Sequence, residues 1–510
     1  MSFKNAKRNT VIVTAIIVVS KLIGMLRDVV LANYYGTTNV SDAYIIASTV
    51  PTLLFYFVGH ALSTAFLPIY NKVKQEKGED LALRYMNNLL FCSFIICFLF
   101  ACLLIFFPEV VAKIFATGFD EQTIKLSANL IRTCAVSLFF MVIINIWSGY
   151  LHAKENFVVP AAISLPRNAV IIVSIAISAT VGVEFLGVGL LLAYVAEFVF
   201  LLPSVIKAGY RLKFRLRFND EEMKQTYKMV LPIIIGVGVS QINKIIDRSV
   251  ASTIIIGGVS ALSYASVINS AVQEIFVSSI VTILFADCAR LVAEGRSDGA
   301  KNKLQKTLNL LILLLIPAMI GVVVLAEPIV SIIFSRGQFD NESVLMTSGA
   351  LRLYTLGMLF VAIRDTIVKV FYAYKDTKIT TILSIVSILI NIILNIVLGI
   401  FMGINGLALA TAISAIFNAC SLYVCLYKKI GNFGIKNNIF CFATSLVSAS
   451  IMGGVVYLIY GMLIKIINSS LLVLILATLV GVIVYFSIIS ILNYKKVLSF
   501  LKKTKENRRV

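Results

Sequence analysis

Ser20-Lys21-Leu22-Ile23-Gly24-Met25-Leu26-Arg27-Asp28 places three ionisable side chains inside an apolar run that extends from about Val11 to Tyr35. A run of that length crosses a hydrocarbon core about 30 Å thick. At about 100° per residue, Ser20, Lys21, Gly24, Arg27 and Asp28 fall within an arc of about 120°, so one helix face is polar and the other is left for lipid. A charge at the centre of a membrane helix costs about 2.5–3.5 kcal/mol on insertion scales, and it is kept where partners, water or a ligand offset that cost. The segment predicts a membrane helix turned toward a polar cavity.

The rest of the chain is of the same kind. Of 510 residues, 59% are apolar and 14% charged, which excludes a soluble multidomain protein. Fourteen apolar runs recur, centred near Ile23, Leu54, Ile96, Phe139, Val170, Phe198, Val239, Val277, Leu315, Gly357, Leu389, Ala415, Ala449 and Gly481. The expectation is an all-α polytopic membrane protein with about fourteen transmembrane helices. Few of the gaps could hold a separate domain. The first run is too long for a signal peptide, is internally charged and lacks a small-residue cleavage site.

The net charge of +20 points to membrane topology and not to nucleic acid, because the cations alternate by loop. Lys4, Lys7 and Arg8, then Lys72 to Arg84, Lys207 to Arg217, Arg290 to Lys306, Lys375 and Lys378, Lys428 to Lys436, and the tail from Lys495 to Arg509 are basic. The intervening loops are short or mixed in sign, like Glu109 to Lys125 and Glu327 to Glu342. With fourteen spans, both termini are expected in the cytoplasm. A basic tail also suits anionic head groups, but topology determination carries most of the weight. Tyr34, Tyr35, Tyr70, Tyr150 and Tyr210 suit interfacial anchoring.

The eight cysteines lie in or beside apolar segments without a CxxC, and read as small buried hydrophobes. His60 and His152 have no cluster of metal-ligand spacing around them. No GxSxG, Walker-type or strand-linked GxGxxG motif occurs, so neither nucleophilic hydrolysis nor ATP hydrolysis has its machinery. The chain reads as no enzyme and needs no cofactor. Its energy source is expected to be an ion gradient, the membrane potential or a partner.

An internal repeat organises the helices. A shift of 220 residues aligns Val19-Ser20-Lys21 with Val239-Ser240-Gln241, Arg27-Asp28 with Asp247-Arg248, and Tyr44 with Tyr264. Gln241, Lys244, Asp247 and Arg248 repeat the polar arc of the first helix. Six spans separate matched positions, an even number, so the repeats run in the same direction. The expected organisation is an amino-terminal lobe over 1–210, a basic cytoplasmic linker over 211–228, a carboxy-terminal lobe over 229–430, two extra helices over 431–494 and a basic cytoplasmic tail over 495–510. Substrate is expected between the lobes.

Other polar residues in the spans have a bland reading beside a functional one. Ser41 or Asp42, after the turn Gly36-Thr37-Thr38-Asn39-Val40, reads equally as a helix N-cap. Arg167 and Glu197 are expected to pair with each other. Asn269, Gln273 and Glu274 cluster in the eighth span, and Arg364, Asp365 and Lys369 in the tenth. Arg364-Asp365 reads equally as a structural ion pair and as a ligand contact. Asn391 and Asn395, four apart on one face, with Thr411 in the next span, more commonly serve interhelical hydrogen bonding, yet amides, a hydroxyl, carbonyls and the Asp247 carboxylate are also what a hard cation requires.

The stretch Ser20 to Asp28, continuing through Ala32, Gly36 and Ser41-Asp42-Ala43-Tyr44 to Pro51, resembles the amino-terminal signature of the MurJ (MviN) lipid II flippases, within the multidrug/oligosaccharidyl-lipid/polysaccharide exporter superfamily. Gln241-Ile242-Asn243 through Asp247-Arg248 to Ala251-Ser252, Val272 to Val277, and Arg364-Asp365 through Phe371-Tyr372-Ala373 to Asp376-Thr377-Lys378 are similar to stretches of Gram-positive members. The resemblance covers nearly the whole chain.

That resemblance implies two six-helix lobes around a cationic cavity, with the two last helices forming a groove for a lipid tail. Family cavity arginines fall on Lys21 and Arg27, and the family's acidic residue on Asp42. Two further arginines are missing, since Phe55-Tyr56 and Val267 stand at those places; Lys244, Arg248 or Arg364 would restore the charge. The substrate-binding set expected is Lys21, Arg27, Asp28, Asp42, Lys244, Arg248, Glu274 and Arg364. A sodium site of some members maps to Asp247, Asn391, Asn395, the Leu407 carbonyl and Thr411, with Asn395 where a carboxylate can stand. The implied function is transfer of lipid II, a lipid-linked sugar diphosphate, across the bacterial cytoplasmic membrane for cell wall synthesis, by a monomer in contact with membrane lipids. The alternatives are export of another polyprenyl-linked oligosaccharide and, further off, a polytopic glycosyltransferase. Lys21 and Arg27 speak against a cationic substrate.

Overall fold

The computed structural model describes residues 3–492, with side chains described outside 3–11, 57–58, 60–61, 63, 231–240, 275–276 and 278–279. The expected tail over 495–510 lies outside the described residues. Among the described residues there are eighteen helices and no strand, as a chain that must satisfy every backbone polar group within lipid requires.

Two compact units emerge, one of residues 1–260 with 336–340, the other of 261–335 with 341–510. The first holds α1 (Phe3–Tyr35), α2 (Asn39–Lys77), α3 (Glu79–Phe106), α4 (Pro108–Phe115), α5 (Glu121–Cys134), α6 (Ser137–Ala153), α7 (Val158–Ala162), α8 (Ser164–Val181), α9 (Phe185–Lys207) and α10 (Glu221–Ile254). The second holds nearly all of α11 (Gly258–Ala293), then α12 (Ser297–Phe334), α13 (Asn341–Leu356), α14 (Met358–Ala373), α15 (Lys378–Met402), α16 (Ile404–Ile430), α17 (Ile435–Leu463) and α18 (Ser470–Leu492). By length and composition, eight described helical stretches can cross a membrane, or ten if the bent pairs α5–α6 (47°) and α13–α14 (41°) each count as one span. The other four predicted centres fall on α1, α2, α10 and α11, outside that set.

The 220-residue offset read from sequence reappears in the backbone. Among the described residues, positive φ outside glycine occurs at Glu155 (59°) and Lys375 (56°), 220 apart. Each follows a helix closed in the same way: Lys154 N–H donates to Tyr150 O as Tyr374 N–H does to Val370 O, and Asn156 N–H to Leu151 O as Asp376 N–H to Phe371 O. Tyr44 and Tyr264 are both buried. Left-handed backbone is costly for a side chain with a Cβ, so a shared occurrence at matched places marks a shared fold of the two repeats.

At one end of the first unit the turns after α1, α4, α10 and α12 converge. Thr117 Oγ1 lies 3.0 Å from Ser249 Oγ, Gly118 N–H donates to Ser252 Oγ, and Gln338 N–H donates to Asn33 O at 2.9 Å. Gly257, at φ 80°, lies so close to Thr37 that a Cβ there would collide with the Thr37 carbonyl. At the other end the loops after α2, α6 and α9 meet: Lys154 Nζ is 2.8 Å from Glu79, and Tyr150 donates its hydroxyl to Ala208 O at 2.7 Å.

In the second unit α17 and α18 pack on α12. Ala449, Met452, Val456, Ala477 and Tyr485 close over Leu311, Ile312, Leu315 and Ile316, and Tyr485 anchors its hydroxyl on Leu313 O at 2.9 Å. Gly481 lets α18 approach Val456 and Met452 of α17, the small-residue contact by which membrane helices associate without a hydrophobic driving force. Helix α12 is kinked at Leu325 (φ −100°, ψ 15°), three residues before Pro328, whose ring removes an N–H donor and crowds the carbonyl four residues back. Cys92, Cys97, Cys134 and Cys288 are buried as expected, whereas Cys420 is exposed.

Candidate functional site

The polar arc of α1 meets α8. Arg27 donates from Nε (3.0 Å) and from a terminal nitrogen (2.7 Å) to the same Asp28 oxygen, Oδ1. Its other terminal nitrogen lies 3.4 Å from Asn168 Oδ1 on α8. Gly24, one turn earlier, leaves room for that amide: a Cβ there would stand 3.6 Å from Asn168 Nδ2. Asp28 thus holds the guanidinium by one edge and aims the remaining nitrogen toward α8, the edge that suits a planar, multidentate anion.

Around this pair lies a ring of polar groups. Arg167 reaches Glu197 at 3.5 Å, the pairing expected from sequence, and sits 6.0 Å from the Tyr194 ring centroid. Tyr194 is within 3.4 Å of Thr52 on α2, and Tyr44 and Tyr194 both lie in the electrostatic neighbourhood of Arg27. Lys21, two turns before Arg27, is exposed. Arg248, on α10, extends a nitrogen to within 3.5 Å of Ile45 O, beside Tyr44. Lys244 lies one turn before Arg248 and near enough to feel its charge.

Asp42 departs from its simpler reading. The N-cap of α2 is Thr38, whose N–H donates to Ser41 Oγ at 2.9 Å. The Asp42 carboxylate instead accepts from Gly257 N–H (2.9 Å, Oδ2) and Ser260 N–H (2.7 Å, Oδ1). It caps the start of α11, where unsatisfied donors and the helix dipole favour an anion, so it ties the α1–α2 turn to the α10–α11 turn within the first unit.

In the second unit Arg364 repeats the Arg27 geometry, with Nε at 3.0 Å and a terminal nitrogen at 2.8 Å from Asp365 Oδ1. Glu274, on α11, is exposed. Asn391 donates to Ser414 Oγ at 3.3 Å, Asn395 donates to Asn391 Oδ1 at 3.0 Å, and the Thr411 hydroxyl donates to Leu407 O at 3.1 Å. The interhelical use expected of these groups is present at Asn391, whose bond crosses from α15 to α16, while the Asn395–Asn391 and Thr411–Leu407 bonds stay within their own helices. Asp247 belongs to the first unit and accepts from Asn243 Nδ2 at 3.2 Å.

A family model described as lipid II flippase MurJ matches residues 31–478, most of the chain. The chain belongs to the MurJ family. Among curated relatives, a probable lipid II flippase MurJ of Thermotoga maritima is 28% identical, over 87% of this chain and 88% of that protein. One of Vibrio cholerae is 26% identical, over 82% of each. A solved structure titled lipid II flippase MurJ, inward closed conformation, superposes with a TM-score of 0.81 at 28% identity, covering 96% of this chain and all of that one. A multidrug resistance MATE family transporter of the MOP superfamily, 14% identical over 83% of this chain and 98% of its own, shares the fold with a TM-score of 0.70.

This MurJ-family protein is a multi-pass membrane protein. Six of the eight expected substrate residues (Lys21, Arg27, Asp28, Asp42, Lys244 and Arg248) fall in the first unit, and Glu274 and Arg364 in the second. Sequence reasoning missed Asn168 and Tyr194. Asn168 directly follows Arg167, and an amide on the polar side of an apolar helix was the one available signal; Tyr194 had none, because a tyrosine within a span reads as core or interface.

Proposed function

We propose that this protein carries lipid II, the lipid-linked peptidoglycan precursor, from the inner to the outer leaflet of the bacterial cytoplasmic membrane by alternating access of its two lobes. Family membership supports the reaction. The observation that carries the reading to residues is the Arg27 guanidinium, gripped by Asp28 along one edge and open toward Asn168 on the other.

A sugar diphosphate carries about two negative charges, for which an arginine fork is the suited partner and Lys21 a mobile point charge. In the proposed cycle the diphosphate takes the Arg27 nitrogen now directed at Asn168, and the freed amide turns to the head group. Asp28 and Asp42 are then positioning groups, the first for Arg27 and the second for the start of α11; Lys244 and Arg248 of the first unit, and Glu274 and Arg364 of the second, are the further charged groups proposed to meet the sugars and peptide. Moving net negative charge outward is favoured by an inside-negative potential at about 2.3 kcal/mol per charge per 100 mV. The lobes proposed are residues 1–210 and 229–430, with α17 and α18, whose outer faces expose Val447, Ile451, Leu458 and Ile483, beside the lipid tail.

Both termini are proposed to be cytoplasmic. The convergence of the mixed-sign loops at one end of the first unit and of basic loops at the other supports this. Oxygen donors on adjacent turns of α15 and α16 (Asn391, Asn395, Leu407 O and Thr411) fit a sodium ion in kind, since hard cations take amide, carbonyl and hydroxyl oxygens; a bound ion would fix those two helices together. Depleting the protein in its host tests the function: lipid II should accumulate on the inner leaflet, and accumulation of a different polyprenyl-linked sugar would reassign the substrate.

A further inference from the structure

Residues 208–220, which join α9 to α10, form no helix, yet their backbone is fixed. Asn88 of α3 accepts from Arg217 N–H and donates to Arg217 O, each at 2.7 Å. Asn87 donates to Arg211 O at 3.0 Å and accepts the Tyr210 hydroxyl at 2.7 Å. Tyr150 holds Ala208 O, and Phe91 packs edge-on to Phe214 with ring centroids 4.8 Å apart. The connection between the two repeats is therefore a strap laid along the third and fourth turns of α3.

Its sequence, Arg211-Leu212-Lys213-Phe214-Arg215-Leu216-Arg217-Phe218, alternates cation with apolar side chain. Because the backbone is pinned at both ends, the apolar members do not turn inward: Leu212 is 62% exposed, Phe214 78%, Leu216 39% and Phe218 51%. Between 207 and 219 there are five cations, Lys207 included, and no acid. Of the acids that follow, Asp220 pairs with Arg215 at 2.8 Å and Glu222 with Lys77 at 2.7 Å, while Glu221 is exposed on the first turn of α10. The strap leaves α9 where that membrane-spanning helix ends, which puts it at the depth of head groups.

We propose that this strap is a membrane-surface site for anionic phospholipid, with Leu212, Phe214, Leu216 and Phe218 seated at the acyl boundary and Arg211, Lys213 and Arg217 on phosphate groups. Apolar side chains interleaved with cations at the boundary of a span bind by buried area and by attraction to negative head groups together. A soluble partner protein would favour a contiguous apolar patch depleted of charge at its centre, whereas here Leu212, Phe214 and Leu216 each stand between two cations and Phe218 follows Arg217.

The test uses the full-length protein in nanodiscs of phosphatidylcholine alone or mixed with phosphatidylglycerol. The readout is the phosphatidylglycerol retained after detergent extraction, by native mass spectrometry, for wild type and for Arg211→Gln/Lys213→Gln/Arg217→Gln. Retention should fall by about fivefold per cation removed, and in wild type it should fall with added salt while phosphatidylcholine retention does not. Equal retention by the variant, or a wild type insensitive to salt, overturns the proposal. Independently of any charge variant, a Phe214→Cys side chain in a cysteine-free background should be shielded from a water-soluble maleimide in vesicles containing phosphatidylglycerol. Full labelling there would mean that the strap faces water or a soluble partner. None of these readouts involves transport, so their failure leaves the flippase assignment untouched.

Discussion

The carboxylate of Asp42 receives the backbone N–H of Ser260 at 2.7 Å, across 218 residues of sequence, and that of Gly257 on its other oxygen. Two turns at equivalent places in the repeats are joined by a side chain from the first turn of α2 that caps the start of α11 instead of its own helix. Asp42→Asn keeps the shape but offers one acceptor where two are used, and its NH2 would face an N–H. The expected cost is about 1.5–3 kcal/mol, the range for hydrogen bonds to charged groups. Thermal unfolding in detergent checks it, and an unchanged melting point would mean that the cap contributes nothing.

Arg27 and Asn168 are separable by experiment. Arg27→Ala alone leaves Asp28 without its ion-pair partner, at a cost of about 3–5 kcal/mol if that site is dry, so loss of transport would be ambiguous. Arg27→Ala/Asp28→Ala removes both partners; it should insert and fold, yet not transport. Asn168→Ala, which gives up one contact at 3.4 Å, should keep stability within about 1 kcal/mol and slow transport. Arg27→Lys should retain part of the activity, and Lys21→Arg should be tolerated. Wild-type transport by Asn168→Ala would remove the amide from the site.

Much of this was legible in the chain because it is local or periodic. The polar arc of α1 follows from helix geometry, the Arg167–Glu197 pair from the scarcity of charge in spans, and the repeat from a 220-residue offset that Glu155 and Lys375 reproduce in the backbone. What escaped is long-range and uses ordinary residues. Nothing near Asp42 in sequence announces Ser260, and nothing in Asn87-Asn88 announces that they hold a segment more than 120 residues away. A basic linker reads as solvated until its backbone partners are known.

Gly357, at the 41° bend between α13 and α14, faces α16 so closely that a Cβ would stand 2.9 Å from Ala412 Cα. Gly357→Val should separate these helices and cost about 1–3 kcal/mol, as overpacking does. Melting temperature in detergent checks this, and Gly321→Val, where a Cβ meets nothing within 4 Å, is the control expected to cost less.

If the oxygen set on α15 and α16 holds sodium, the wild-type melting point should rise with sodium beyond the rise that potassium gives, because a specific ligand stabilises by RT ln(1 + [L]/Kd). Asn391→Leu should remove that rise. Asp247→Asn decides whether the carboxylate assigned to the same ion by family resemblance takes part: loss of the sodium response says that it does, and a uniform fall in stability says that it serves only its neighbours on α10. A wild type flat in sodium would count against the ion altogether.

Lipid II is proposed to cross the bilayer through the groups gathered around Arg27. The most direct test is transfer of fluorescently tagged lipid II in proteoliposomes, read as the fraction that becomes accessible to an external reagent under an imposed potential. Wild type and Lys21→Arg should expose the tag, and Arg27→Ala/Asp28→Ala, inserted at equal density, should leave it protected. Equal exposure by the double variant would contradict the account.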